Sequence, residues 1–261
     1  MSTVRLHFPT QTRLHDLPGQ GLPSIKGPVD ILIVVHQGHS VPGRIGERLV
    51  AMGYRLDVRR PCLGDPLPAT LDRHAGAVIF GGPMSANDPL PFIRDEIQFA
   101  ERALGDGAPM LGVCLGAQIM AKALGARVFG HDEGLCEIGY YPLTPTALGA
   151  ELLPWPSHVY HWHSEGFDLP AGCDLLAEGC CFPNQAFRHG ARAFGLQFHP
   201  EVTFEMMRRW TVSGAHHLGR PGAQPGEAHL DGWHQHDAAV AVWLDLLLAR
   251  WLQGETAAAA L

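Results

Sequence analysis

Nowhere does this 261-residue chain offer about 18 uninterrupted apolar residues, the length that a membrane-spanning helix needs. Its start, Met-Ser-Thr-Val-Arg-Leu-His-Phe-Pro-Thr, lacks the continuous apolar core of a secretory leader. Lysines and arginines form no cluster and the net charge is −7, which argues against nucleic acid or an anionic membrane as partner and favours a small polar substrate. The six cysteines (62, 114, 136, 173, 180 and 181) contain no C-x-x-C pair, and Cys180 and Cys181 are adjacent, a poor start for a disulfide framework. Reduced thiols and a cytoplasmic location are therefore expected. No repeat appears at a period of about 20 to 50 residues. No Gly-Lys-Ser/Thr phosphate loop follows a glycine pair, and no cofactor is expected.

What is present suits one α/β domain: 46% of the residues are hydrophobic, enough for a substantial core, and no obvious linker divides the chain. Residues 1–29 carry scattered Pro and Gly and are expected to be irregular, residues 30–254 to form the domain, and residues 255–261 to fray. Ile31 to Val35 is a continuous aliphatic run, the mark of a parallel strand buried on both faces. Helical spacing over 44–52, a strand over 54–58, a buried run over 77–80 and an amphipathic helix over 92–104 continue the alternation. That order predicts a mostly parallel central sheet with helices on both faces. Between residues 127 and 198 the strand-like runs are short and broken by Gly, Pro and Asn, which predicts antiparallel ribbons packed on the sheet. Thr203 is placed to cap a helix. Residues 214–232 read as a long irregular connection bordering the site. Asp237 reads as the cap of a last helix whose Val240, Trp243, Leu244, Leu247, Leu248 and Trp251 face the core.

The stretch with the most chemistry in it is Pro109 to Gln118. A short apolar run, Met110 to Val113, enters Cys114, flanked two residues either side by Gly112 and Gly116, and a helix over 115–124 follows. This is a strand-turn-helix elbow with a thiol at its tip, facing the positive end of a helix that favours a thiolate. Alone, the pattern fits either a nucleophile or a buried structural cysteine. A nucleophile needs a base, an orienter for the base and donors for an oxyanion. His199 follows a strand over 193–197, and Glu201 lies two residues on, close enough to fix the imidazole. Gly81-Gly82 ends another strand and, with the N–H of Leu115, can supply two backbone donors. The same glycines would also suit a tight turn that needs positive φ.

Three motifs in this order, Gly-Gly-Pro-Met-Ser-Ala-Asn-Asp (81–88), Gly-Val-Cys-Leu-Gly-Ala-Gln (112–118) and Gln-Phe-His-Pro-Glu (197–201), resemble a class I (triad) glutamine amidotransferase domain, among these the stand-alone GMP synthase-like members. Glu137-Ile138-Gly139, Trp162 to Pro170 and Pro183 to Arg188 extend the likeness to about residues 30–252. The resemblance implies a flavodoxin-like three-layer fold. It also implies a Cys114 nucleophile that attacks the side-chain amide of glutamine, forms a γ-glutamyl thioester and releases ammonia. His199 would be the general acid/base, Glu201 its orienter, the Gly82 and Leu115 amides the oxyanion hole, and Gln118 a glutamine-binding residue. His163, Ser164 and Glu165 would lie near the bound glutamine, although similar proteins often carry Gly-Asp where Ser164-Glu165 stand, so this pocket can differ.

No ATP-binding synthetase segment follows the last helix, so ammonia would pass to a separate synthase subunit, or the protein is a γ-glutamyl hydrolase or peptidase with the same triad. A non-catalytic regulatory subunit on the same fold is the third possibility. His161 and His163 flank Trp162, and His234 and His236 repeat that spacing. Neither pair has a third ligand close in sequence, so no metal is expected.

Overall fold

The computed structural model describes residues 29–253. The expected irregular lead-in before them and the expected frayed tail lie outside the described residues.

The N-terminal half alternates as the buried runs demand: β1 (Asp30–Val34), α1 (Gly43–Ala51), β2 (Arg55–Arg59), β3 (His74–Ile79), α2 (Pro91–Gly105), β4 (Met110–Val113) and α3 (Leu115–Ala123). Then come β5 (Val128–Gly130), β6 (Glu137–Pro142), β7 (Thr144–Pro145), α4 (Ala147–Leu152), β8 (His158–His163), β9 (Glu165–Phe167), β10 (Asp174–Glu178), β11 (Asn184–His189), β12 (Ala193–Leu196), α5 (Phe204–Ser213) and α6 (Gly226–Gln253). Eight strands form one sheet in the order β2-β1-β3-β4-β12-β11-β10-β7. The five from β2 to β12 are parallel and the last three antiparallel. β4 is central, with Val113 opposite Leu196 of β12 and Gly112 opposite Ile79 of β3.

Successive side chains of a strand point to opposite faces, and β1 shows why a continuous aliphatic run is needed. Ile31 and Ile33 pack on one face with Ile45 and Leu49 of α1 and the α6 stripe. Leu32 and Val34 pack on the other with Ile93, Phe99 and Leu104 of α2 and Ile119 and Met120 of α3. Helices thus cover both faces in three layers. The predicted stripe of α6 is core: Val240, Trp243, Leu244, Leu247, Leu248 and Trp251 are all at most 3% exposed.

Two expectations need correction. Residues 184–189 and 174–178 are not ribbons packed on the sheet but its antiparallel continuation, whereas β5–β9 and β6–β8 are separate two-stranded ribbons. The last helix begins at Gly226, not at Asp237. Asp237 caps nothing; its carboxylate takes both of its oxygens to Arg44 Nη2 at 2.8 and 2.7 Å. His229, which read as part of a polar connection, is fully buried, with Nδ1 2.9 Å from the Tyr160 hydroxyl and Nε2 3.1 Å from the Gln224 carbonyl. Polar rings anchored this way let a His-rich stretch continue as helix.

Candidate active site

The elbow after β4 is strained. Cys114 has φ 52° and ψ −108°, the one non-glycine residue with positive φ among the described residues. Such a conformation costs on the order of 1–3 kcal/mol and persists only where its surroundings hold it. Here the surroundings are tight: a Cβ on Gly112 would sit 2.7 Å from Ala117 N, and one on Gly116 would run into the Ile79 carbonyl. Cys114 N–H donates to the Leu196 carbonyl at 2.7 Å, and the Cys114 carbonyl accepts from Gln118 N at 3.1 Å to start α3. Leu115 is the first helical residue, so its N–H has no intrahelical acceptor.

β12 ends at Leu196, next to β4, and three residues on the chain presents His199, whose N–H donates to the Tyr160 carbonyl of β8 at 2.8 Å. Its Nδ1 lies 2.8 Å from Glu201 Oε1, and both side chains are buried. Nε2 has no hydrogen-bond partner among the described residues. A Cβ on Gly81 would lie 2.8 Å from His199 Cε1 and 3.4 Å from Cys114 Cβ, so imidazole and thiol meet across that glycine. Burial pushes the imidazole toward its neutral form, but Glu201 and then the Cys114 sulfur outweigh burial and raise His199 to about 10. The dyad therefore holds an imidazolium beside the thiol, whose Sγ lies 4.0 Å from the Trp162 carbonyl.

Gly81 and Gly82 do not adopt positive φ, so they are not the tight turn that alternative required. They are glycines for room: a Cβ on Gly82 would lie 2.7 Å from His36 Cβ. His36 braces the loop from behind, with Nδ1 donating to the Gly81 carbonyl at 3.1 Å and Nε2 2.8 Å from Glu96 Oε2. Both side chains of that pair are completely buried.

Cys114, His199 and Glu201 line a cleft of about 800 Å³, together with Gly82, Leu115, Gln118, His163, Ser164 and Glu165. Every residue to which the resemblance gives a catalytic, oxyanion-hole or substrate-binding role thus lines one cleft. Several are already tied to each other. Gln118 Nε2 donates to the Glu165 carbonyl at 2.9 Å and to Gln197 Oε1 at 3.2 Å, and the Ser85 hydroxyl donates to Glu165 Oε1 at 3.0 Å. His163 Nδ1 lies 3.0 Å from the same Glu165 carbonyl. Sequence spacing gave no sign of the His36–Glu96 brace or of Arg209 and Trp210 at the cleft, whereas Gly214, His216, His217 and Arg220 come from the connection expected to border it. Trp210 stands edge-on to His199 at 5.0 Å between ring centroids.

The two spaced histidine pairs part company. On α6, His236 stacks on His158 at 4.2 Å while His234 faces Phe204, because residues two apart on a helix do not share a face. On β8, spacing of two puts His161 and His163 on one face, and β6 brings Glu137 to them.

The fold and the cleft match a known class. The model of the glutamine amidotransferase class-I family covers residues 33–211, and the chain belongs to that family. It is 32% identical over 183 residues to the glutamine amidotransferase-like protein YfeJ of Salmonella typhimurium, spanning 66% of this chain and 75% of that one. Identity to the glutamine-hydrolyzing GMP synthase of Aeropyrum pernix is 30% over 209 residues, 75% of this chain but 39% of the synthase. Identity to a gamma-glutamyl-L-1-hydroxyisopropylamide hydrolase of a Pseudomonas species is 30% over 165 residues, 57% of this chain and 55% of the hydrolase. Among solved structures, a glutamine amido transferase from Methylobacillus flagellatus superposes with TM-score 0.80 at 28% identity, over 87% of this chain and 94% of that one.

Proposed function

We propose that the protein hydrolyses the side-chain amide of glutamine through Cys114, His199 and Glu201. The observation that carries this is the strained Cys114 at the start of α3 facing the buried His199–Glu201 dyad. Sγ of Cys114, as thiolate, adds to the γ-carbonyl carbon. The oxygen that becomes negative is received by the N–H groups of Gly82 and Leu115, each worth on the order of 3 kcal/mol in comparable sites. His199 gives its Nε2 proton to the amide nitrogen, the C–N bond breaks, and ammonia leaves a γ-glutamyl thioester. Water then loses a proton to His199 and adds to the thioester carbon. Glutamate departs and the thiolate–imidazolium pair is restored. Glu201 stabilises the imidazolium throughout. Gln118, His163, Ser164 and Glu165 shape the wall against which glutamine lies, with Gln118 acting through the Glu165 carbonyl that it holds.

Ammonia would pass to a separate synthase subunit in the cytoplasm, a role suggested by the likeness to part of a GMP synthase. The cleft favours a second reading, a γ-glutamyl amide hydrolase, because about 800 Å³ leaves room beyond one glutamine for a larger leaving group. Glutamate release from glutamine, with Cys114→Ala as control, decides the first reading; wild type should exceed the variant by at least about a thousandfold. Equal rates would overturn the thiol mechanism. Higher kcat/KM on γ-glutamyl alkylamides than on glutamine would select the second reading.

A further inference from the structure

Behind the cleft wall lies a polar cluster of which only His163 reaches the cleft. Glu137 opens β6 and stands directly opposite His163, the last residue of β8, with His161 two residues back on the same face. All three are buried, at 1%, 7% and 1% exposure for Glu137, His163 and His161. Their ligand-type atoms form a small triangle. His163 Nε2 is 3.0 Å from Glu137 Oε2, His161 Nδ1 is 3.0 Å from His163 Nε2, and His161 Nδ1 is 3.5 Å from Glu137 Oε2.

The contact to the Glu165 carbonyl sets which ring nitrogen of His163 faces the triangle. The Glu165 carbonyl can only accept, so His163 Nδ1, 3.0 Å from it, carries the ring hydrogen. Nε2 is then the ring nitrogen left to act as a ligand, and it faces a carboxylate oxygen and a second imidazole nitrogen. The three ligand-type atoms converge on one buried point and lie close enough together to share one cation. The outer contacts are those of metal ligands: a histidine donating its other N–H to a backbone carbonyl, and a carboxylate held by Gln185 Nε2 at 2.8 Å and by Cys181 N at 3.4 Å. The size fits as well. Ligands at about 2.0–2.1 Å from a tetrahedral zinc ion lie about 3.3–3.4 Å apart, which is the scale of this triangle.

We propose that Glu137 Oε2, His161 Nδ1 and His163 Nε2 bind one divalent transition-metal ion of the zinc type, with water as fourth ligand. Two imidazoles and one carboxylate suit zinc and its neighbours and do not suit calcium or magnesium, which take oxygen ligands. The ion braces the cleft and does not react. It pins both neighbours of Trp162, whose carbonyl lies 4.0 Å from Cys114 Sγ, while the Trp162 ring packs on Trp210 at 5.9 Å. Cys180 and Cys181 also approach Glu137, and they form the competing site that the test must separate.

The full chain is loaded with zinc chloride, desalted and assayed for bound metal. Wild type and the Cys180→Ser/Cys181→Ser double variant should each hold about one zinc per chain, and Glu137→Gln and His161→Ala on the order of a tenth of that or less. Zinc a thousandfold above its Kd should raise the wild-type Tm by about 10 °C, with no such rise from magnesium or calcium. Should the variants fail to fold, cobalt(II) titration of wild type answers alone: saturable visible bands of a four-coordinate ion without sulfur-to-cobalt charge transfer are expected. No metal retained by wild type, no saturable cobalt spectrum, or a sulfur charge-transfer band placing the ion on Cys180 and Cys181 would each overturn the site.

Discussion

At the scale of single residues the positive φ of Cys114 separates what the backbone costs from what the side chain does. Cys114→Ala and Cys114→Gly both remove the thiol, but only glycine takes this conformation without penalty. The glycine variant should therefore be the more stable by about 1–2 kcal/mol, seen as a Tm about 2–8 °C above that of the alanine variant, with both inactive. Equal melting temperatures would show that the elbow stores no strain. His199 makes a pH prediction. Its folded pKa, raised by Glu201 to about 10, lies above the unfolded value of about 6.5. The His199–Glu201 pair thus contributes its full stability below about pH 6.5 and loses it as pH rises toward 10. Denaturant midpoints of wild type and Glu201→Gln should lie far apart at low pH and converge as pH rises; a constant gap would contradict the pairing.

At the scale of elements, α2 reaches the Gly81 loop through Glu96 and His36, two residues past β1, although neither residue lines the cleft. Glu96→Gln weakens the hold on the Gly81 carbonyl and so on the Gly82 N–H. A fall in kcat of about tenfold to a hundredfold with KM nearly unchanged is expected, since one fully lost oxyanion donor costs about 10²–10³. Alkylation of Cys114 by iodoacetamide should keep its rate, because the thiol and its imidazole are untouched; a slowed alkylation would instead mean a general loosening. The α6 stripe carries stability. Trp251 is fully buried against β3, close enough that a Cβ on Gly76 would lie 2.9 Å from its Cζ2. Trp251→Ala should cost about 3–5 kcal/mol in urea-unfolding free energy without altering KM. The stripe was legible because apolar residues recur at helical spacing. The start of α6 was not, because His229 and Gly232 carry no apolar signal and are held by Tyr160 of β8 and Tyr140 of β6 packing on them.

Across the whole molecule, β3, β4 and β12 are neighbours in the parallel sheet, and their carboxyl ends deliver Gly82, Cys114 and His199 to one cleft. Strand ends with glycines, a cysteine or a histidine were readable locally, and parallel alternation says that such ends gather. Cross-strand register is another matter. Nothing near His161 and His163 in the chain announces Glu137, which reaches them only because β6 pairs with β8. The same holds for β10 and β11, whose place in the main sheet depends on β12 lying beside β4. That placement also orders events in time. Cys114 and its β3 neighbour emerge early in synthesis, whereas His199 follows about 85 residues later, roughly 4–17 s at the usual 5–20 residues per second. For that interval the nascent chain carries Cys114 without the histidine proposed to act with it. Closing β12 against β4 is then the step that brings the two side chains into one cleft.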